Sequence, residues 1–354
     1  MFDEETVNAF SGGYKVSESG VVTLFGRPAV STLKRVIAFP ASLSIHSLVR
    51  KSESVVWRGT NTVDLPYEIS KLSNDWYDPI KMMVNIAIQR GWKYPPYILA
   101  EEHLGYQMAL GHYSAFIDLL VQAFSTVNEI TLSPAEFNQI STEIQGKVKG
   151  QTYPYETLAR QQGKNNNLLF FESSSNSFRN EIVNLEPFSM FLISENYLGG
   201  NQNYANFLRN FKKFSDNSMD NRDPTTLSFP YVGIRNHSVL EEEMYDRTAK
   251  AFEENDVDSF IQFLSKYSQS LGYNLGVLSD FQKNIANLLE RYKIKNYLFN
   301  VGEYSGSVLV FVDSQELATI RDNLIREYYN KTNRTLRFDD LQILNSALRE
   351  PIRA

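Results

Sequence analysis

The sequence predicts an α+β protein of two domains. Three observations predict it. The chain has 354 residues, more than one hydrophobic core usually organises. Residues 94–124, Tyr94 to Phe124, read as a strand, a polar turn and a long amphipathic helix. The C-terminal half reads as helices over one face of an antiparallel sheet. The composition shift after the apolar run Phe188–Ser194 places the boundary near 185–195, giving domains 1–190 and 191–354.

Hydrophobic residues make up 42% and charged residues 21%, values that suit a soluble globular protein. A net charge of -6 gives no general attraction to nucleic acid. With no Cys, disulfides and thiolate chemistry are excluded. The four histidines, His46, His103, His112 and His237, are scattered, and only His103 with Glu102 suggests half a metal site. No apolar run approaches the roughly 20 residues of a membrane span. The acidic start MFDEETV lacks the apolar core of a signal peptide, so the expected location is the cytoplasm.

Taken in order, Gly20–Phe25 reads as a strand ending in the turn Gly26-Arg27-Pro28. Val36–Leu48 is a second strand, in which Ser42, Ser44 and His46 alternate with Leu43 and Ile45. Val55–Arg58 is a third, closed by the turn Gly59-Thr60-Asn61. Asp78–Arg90 is a helix with Ile80, Met83, Val84, Ala87 and Ile88 on one face, stopped by Gly91. Tyr97–Ala100 is a strand. The helix after it carries Ala109, Tyr113, Phe116, Leu119, Leu120, Ala123 and Phe124 at helical spacing. Ser133, Pro134 and Glu136 form a helix start with a capping box. That helix is predicted to stop near Gly146, leaving Gly146-Lys147-Val148-Lys149-Gly150 as a cationic loop.

Leu168–Phe171 and Phe188–Ser194 read as strands, with a polar turn at Ser173–Ser177. Tyr204–Phe214 is a helix, followed by an Asn- and Ser-rich loop to Asp223. Val239–Asn255, Asp258–Tyr267, Asp280–Tyr292 and Gln315–Tyr329 are helices. Tyr297–Asn300 and Ser307–Asp313 are paired strands. The tail from Thr335 has Leu341, Leu344 and Leu348 at helical spacing and is predicted to dock as a helix.

A helix entered from a loop over a cleft offers free N–H groups and the positive end of its dipole, a ready anion site. A phosphate-cradling loop needs small residues so that the backbone can approach. Here the loop has Gly105 and Gly111, but also Glu101, Glu102, Tyr106, Gln107 and Met108. The carboxylates repel a nucleotide and the bulky side chains obstruct it. Leu104, Tyr106, Met108 and Tyr113 are expected to open instead onto an apolar or amphiphilic ligand. Lys147, Lys149, Arg160 and Lys164 lie within eighteen residues, a density that suggests one or two face a bound anion.

The order of these segments resembles the GHMP superfamily of galactokinase, homoserine kinase, mevalonate kinase and phosphomevalonate kinase, and within it the mevalonate diphosphate decarboxylase and mevalonate 3-kinase branch. Thr23-Leu24-Phe25-Gly26-Arg27 is similar to the family's Lys-Tyr-Trp-Gly-Lys strand end, and Ser42-Leu43-Ser44-Ile45 to its Ser-Leu-Ser-Val strand. Trp57-Arg58-Gly59, Leu132-Ser133 with its helix, and Asn300-Val301-Gly302 with Ser307–Val312 fall where the family has Leu-Asn-Gly, Leu-Ser and Asp-Ala-Gly-Pro-Asn. The family's nucleotide loop, Pro-x-x-x-Gly-Leu-x-Ser-Ser-Ala, is replaced at residues 99–109, and its catalytic Lys corresponds to Thr23.

The resemblance implies a two-domain GHMP-kinase-like fold. Its N-terminal domain would resemble domain 2 of ribosomal protein S5, and its C-terminal domain would be a ferredoxin-like α/β sandwich. With the nucleotide loop lost, the implied activity is that of an archaeal-type bisphosphomevalonate decarboxylase. Such an enzyme ejects the 3-phosphate and CO₂ from mevalonate 3,5-bisphosphate without ATP, cofactor or metal. The alternatives are an ATP-dependent small-molecule kinase and a non-catalytic metabolite-binding paralogue. For the elimination, Arg160 would be the main phosphate ligand, with Lys147 and Lys149 behind it. Asp280 or Asn300 would stand for the family's carboxylate, with Glu303 as an alternative to Asn300. Arg27, Lys34, Ser42 and Ser44 would hold the rest of a phosphorylated substrate. A homodimer is the family's expectation.

Overall fold

The computed structural model describes residues 2–26, 35–173, 175, 177–217, 224–344 and 347–352. In chain order, α1 (Glu4–Asn8) precedes the strands β1 (Tyr14–Phe25), β2 (Arg35–Lys51), β3 (Val55–Arg58) and β4 (Thr62–Leu65). Next come α2 (Asp78–Gln89), β5 (Pro96–Glu102), α3 (His112–Val127), α4 (Pro134–Lys149) and α5 (Pro154–Gln162). The chain continues through β6 (Asn167–Glu172), β7 (Ser177–Ile182) and β8 (Ser189–Glu195). The helices α6 (Gln202–Asp216), α7 (Tyr231–Glu253), α8 (Val257–Tyr273) and α9 (Asp280–Arg291) follow. It closes with β9 (Tyr297–Asn300), β10 (Ser307–Val312), α10 (Ser314–Thr332), β11 (Leu336–Leu341) and β12 (Leu348–Pro351).

The α+β class holds, in two sheets. The larger is built on the long antiparallel pair β1–β2 and runs β12-β1-β2-β5-β3-β4, with β6 and β7 extending from β2. The smaller runs β11-β8-β10-β9. Both long strands are buried along most of their length, because helices and the second half of the chain cover them. Phe25 of β1 stacks on Tyr267 of α8, ring centroids 4.0 Å apart, and Trp57 meets Phe116 of α3 edge-on at 4.8 Å. One core therefore takes residues from both halves of the chain, including Phe260, Leu264, Leu309 and Phe311. A second core lies between the smaller sheet and α6, α9 and α10, around Phe281, Ile285, Val310 and Leu324.

Local chemistry explains the elements that the sequence predicts. Ser133 accepts from the Glu136 N–H and Glu136 reaches back to Ser133, the reciprocal cap anticipated for α4. Several readings differ, among them the helix read as Val239–Asn255, which starts at Tyr231. The helix α4 runs through Gly146 to Lys149 and ends at Gly150, which has φ 70°, so the expected cationic loop is the last helical turn. A lone glycine weakens a helix by only about 1 kcal/mol, and lysines favour the negative end of its dipole. The tail is not helical: β11 pairs with β8, and β12 pairs with β1 as an edge strand of the large sheet. Leu336, Phe338 and Leu341 satisfy a strand once partners exist, which periodicity does not reveal. The strand β7 has no buried residue to signal it. The expected loop ending at Asp223 lies mostly outside the described residues.

Buried polar groups make the fold sensitive to acid. His237 on α7 is 1% exposed, with Nδ1 2.8 Å from Ser270 Oγ and no partner for Nε2. Burial disfavours the imidazolium and brings its pKa to about 4. Between about pH 6.5 and 4 the unfolded chain takes this proton and the native chain does not, so stability falls as pH falls through that window. The expected slope is at most about 1.4 kcal/mol per pH unit for one proton. Denaturant midpoints between pH 4 and 7 measure it. His237→Gln should flatten the curve, and a variant as steep as the parent would exclude His237 as the source.

Candidate functional site

The entrance to α3 is the centre of a cavity of about 190 Å³. The chain enters it from β5 through a turn of 3-10 helix at Tyr106–Met108. Gly111 then takes φ 69°, a left-handed conformation that glycine adopts without strain, and caps α3 with no side-chain bond. Against this helix start lies Glu156, from the first turn of α5 and only 3% exposed. A Cβ placed on Gly111 would stand 2.6 Å from Glu156 Oε2, so the glycine is what admits the carboxylate. The Ser114 hydroxyl donates to Oε2 and the Tyr155 hydroxyl donates to Oε1 at 3.1 Å. Tyr155 also lies 3.1 Å from Thr23 Oγ1, which links β1 to the head of α3.

Aromatic rings form the rest of the wall. Tyr106 lies on His112 with centroids 3.6 Å apart and meets Tyr304 edge-on at 6.1 Å. Tyr113, Gln151, Tyr153, Tyr204, Gly302 and Glu303 add to the lining, with Lys149, its ammonium 5.4 Å from the Tyr113 ring centroid. Burial, helped by the Glu102 and Tyr304 charges, pushes the Tyr106 phenol far above its ordinary range. Burial does the same to Tyr113. Both therefore present neutral O–H groups at any working pH. Glu102 lies behind this wall, 3.1 Å from His112 Nε2. Burial raises its pKa, but the His112 bond and charge, with bonds from Thr60, outweigh that and leave it below the usual value. The chamber is rich in hydroxyls and ring faces, with two carboxylates, the buried Glu156 and the exposed Glu303.

The structure disperses most of the residues expected to act on phosphate. Arg160 is fully buried beneath the site: its Nε donates to Asp118 Oδ2 at 2.7 Å and its Nη1 to the Ser19 carbonyl at 3.3 Å. Burial opposes its charge, but Asp118, Glu156 and Glu18 outweigh that and hold it cationic, with no path to an external anion. Asp280 is the first residue of α9, with a side chain 95% exposed and 3.6 Å from Lys283. Asn300 is buried and donates to Ser307 Oγ at 3.1 Å, while Gln282 bonds its carbonyl. That network fixes β9 to β10, and Ser307 ties them to the Met108 carbonyl at 2.6 Å.

Ser42 bonds to the backbone of the tail at Asp340 and Gln342, and Ser44 sits 2.8 Å from His46 Nε2, so both already have partners within the protein. Lys147 is exposed on α4, and Arg27 and Lys34 lie outside the described residues. Of the phosphate-site candidates among the described residues, Lys149 and Glu303 line the chamber. Leu104 and Met108 are buried in the core and do not line it, so the expected apolar ligand wall keeps only Tyr106 and Tyr113. His103 stands 3.7 Å from Glu101 while Glu102 turns to His112, which separates the suggested metal pair. Among the described residues, no three His, Asp or Glu side chains converge on a common point.

Sequence reasoning missed Glu156, Tyr153 and Tyr304. A glutamate in the first turn of a helix is ordinary dipole chemistry, and nothing local marks it as facing another helix.

Comparison with known proteins places the architecture. The chain resembles the Lactococcus lactis galactokinase structure complexed with galactose, at a TM-score of 0.80 and 14% identity, over 98% of both chains. The fold is that of the GHMP kinases. The Methanococcus jannaschii mevalonate kinase matches at a TM-score of 0.65 and 13% identity, over 94% of this chain and 98% of that one. The Staphylococcus aureus mevalonate diphosphate decarboxylase matches at 0.59 and 11%, over 96% and 98%. In sequence, a galactokinase from Thermosipho africanus is 23% identical over 332 residues, 90% of this chain and 94% of that protein. No family model matches. The GHMP-like architecture expected from the sequence is thus present, with the sugar kinase a nearer structural match than the decarboxylase. No helix among the described residues is long and apolar enough to cross a membrane.

Proposed function

We propose that this chain binds a small hydroxyl-rich molecule of the sugar class at the head of α3, on a small-molecule kinase scaffold whose phosphoryl-donor position is closed by its own carboxylate. The observation that carries this reading is Glu156 lying against the start of α3 and taking the Ser114 hydroxyl. A carboxylate there claims the donors and dipole end that would hold a phosphate, and repels a second anion. Sites for drug-sized ligands run to about 300–1,000 Å³, so a chamber of about 190 Å³ suits a smaller molecule than a nucleoside triphosphate. Neutral hydroxyls can pair with Glu156 and with the phenols of Tyr106 and Tyr113 without charge repulsion. The matched galactokinase structure is a complex with galactose, which supplies the first probe. Galactose should raise the melting temperature and MgATP should not. Saturation at about 100 times Kd adds roughly 2.7 kcal/mol. Stabilisation by MgATP alone would overturn the reading.

A second reading, an ATP-dependent kinase of a sugar or similar alcohol, is supported by the TM-score of 0.80 over 98% of both chains. Glu156 would then accept the proton of the acceptor hydroxyl. Formation of ADP and a sugar phosphate from MgATP and galactose, lost in Glu156→Gln, would establish it. The elimination chemistry draws less support, because it needs several cations around one anionic substrate and, among the described residues, Lys149 is the one cation that lines the chamber. Phosphate and CO₂ released from mevalonate 3,5-bisphosphate without nucleotide would restore it.

A further inference from the structure

A second cavity, a groove of about 490 Å³ between the turn before α5 and the helix α6, adjoins the chamber at Gln151 and Tyr153. Its floor is Leu208 and Phe211, and its charged groups are Arg209 and Lys212. The same helix reaches the chamber through Tyr204. On its other side Arg209, Lys212 and Lys213 line a third cavity, where Asp216 is the one carboxylate. Lys149 lines the chamber near the end of α4, and Lys147, two residues before it, is exposed. None of these five cations makes an ion pair among the described residues. The exposed pairs elsewhere, such as Arg247 with Glu243 and Lys250 with Glu254, show the opposite habit in a chain of net charge -6. Arg209, Lys212 and Lys213, without ion pairs among the described residues, give this side of α6 a local positive field in an acidic protein.

We infer that the chamber and groove together take one bipartite ligand, an anionic sugar derivative whose hydroxylated part meets Glu156 and the tyrosines and whose phosphate or carboxylate lies between Arg209, Lys212 and Lys149. The inference rests on the sugar-class reading above and deepens it by assigning the charge. The two ends are chemically opposed: Glu156 repels an anion at the inner end, and the groove attracts one at the outer end. That opposition fixes the orientation of the ligand. The guanidinium of Arg209 can fork across two oxygens of either anion, so phosphate and carboxylate remain two sources of one chemistry.

Calorimetry on the full chain tests this with galactose, galacturonate, galactose 1-phosphate and inorganic phosphate. At least one charged sugar should bind about tenfold or more tightly than galactose, a difference of about 1.4 kcal/mol. That advantage should shrink with added salt. Arg209→Ala with Lys212→Ala should bring the charged sugar to the affinity of galactose and leave galactose itself unmoved. Preference for galacturonate or for galactose 1-phosphate identifies the anion. Equal binding of neutral and charged sugars, or a charged-sugar affinity unchanged in the double variant, overturns the inference while the sugar-class reading stands. Binding of inorganic phosphate alone, lost in the double variant, keeps the groove but removes the bipartite ligand and the sugar-class reading together. No binding by any probe removes both as well.

Discussion

Arg160→Ala is expected to cost about 3–5 kcal/mol of stability, the range for removing one partner of a buried ion pair. The side chain is 0% exposed, and its loss would leave Asp118, also 0% exposed, beside Glu18 at 1%. Glu18 is already pushed well above the carboxylate range, first by burial and then by Asp118, and Arg160 is the charge that opposes this. The Asp118 carboxylate would keep only the hydroxyls of Ser141 and Thr157. A guanidinium that served an external phosphate would behave differently, since surface substitutions usually change stability by about 0.5 kcal/mol or less. Urea midpoints for Arg160→Ala and Arg160→Met separate the two. A loss below about 1 kcal/mol in both would show that the cluster does not carry the fold. Replacement by Met should be the milder, because it fills the volume and leaves a smaller void.

Glu156→Ala is expected to have the largest effect on ligand choice. Removing the carboxylate frees the Ser114 hydroxyl and the head of α3, and removes the repulsion of an incoming anion. Hydrogen bonds to charged groups are worth about 1.5–3 kcal/mol, so affinity for inorganic phosphate or MgATP should rise by about tenfold to a hundredfold. Glu156→Gln keeps the volume and loses only the charge, so its gain should be smaller. Calorimetry with both ligands measures this. Anion affinities equal to the parent's in both variants would mean that Glu156 does not occupy an anion position. The pair of variants also bears on the kinase reading, in which any phosphoryl transfer by the parent would vanish in both.

Much of the fold is legible because its signals are local. The third strand, Val55–Arg58, and its turn coincide with β3, and the capping box at Ser133 and Glu136 forms as expected. Such features depend on a few neighbouring residues, and the same chemistry acts wherever the segment lies. The misread tail shows the limit: Leu341 and Leu348 sit on strands because β8 and β1 offer free edges.

The site was less legible for the same reason. The filled loop was readable, since Glu101, Glu102, Tyr106 and Met108 stand in plain succession. What closes the helix start was not, because Glu156 arrives from 42 residues beyond Ser114.

The sequence by itself determined the α+β class, the long helix after an obstructed loop, and the absence of thiol chemistry. These follow from composition and short-range periodicity. Only the tertiary structure decided the fate of the charges. It buried Arg160 against Asp118, left Asp280 in solvent, and set Glu156 at the head of α3. The physical reason is that a charge takes its meaning from what surrounds it. The field and solvation at a side chain come from residues that the chain brings together only on folding.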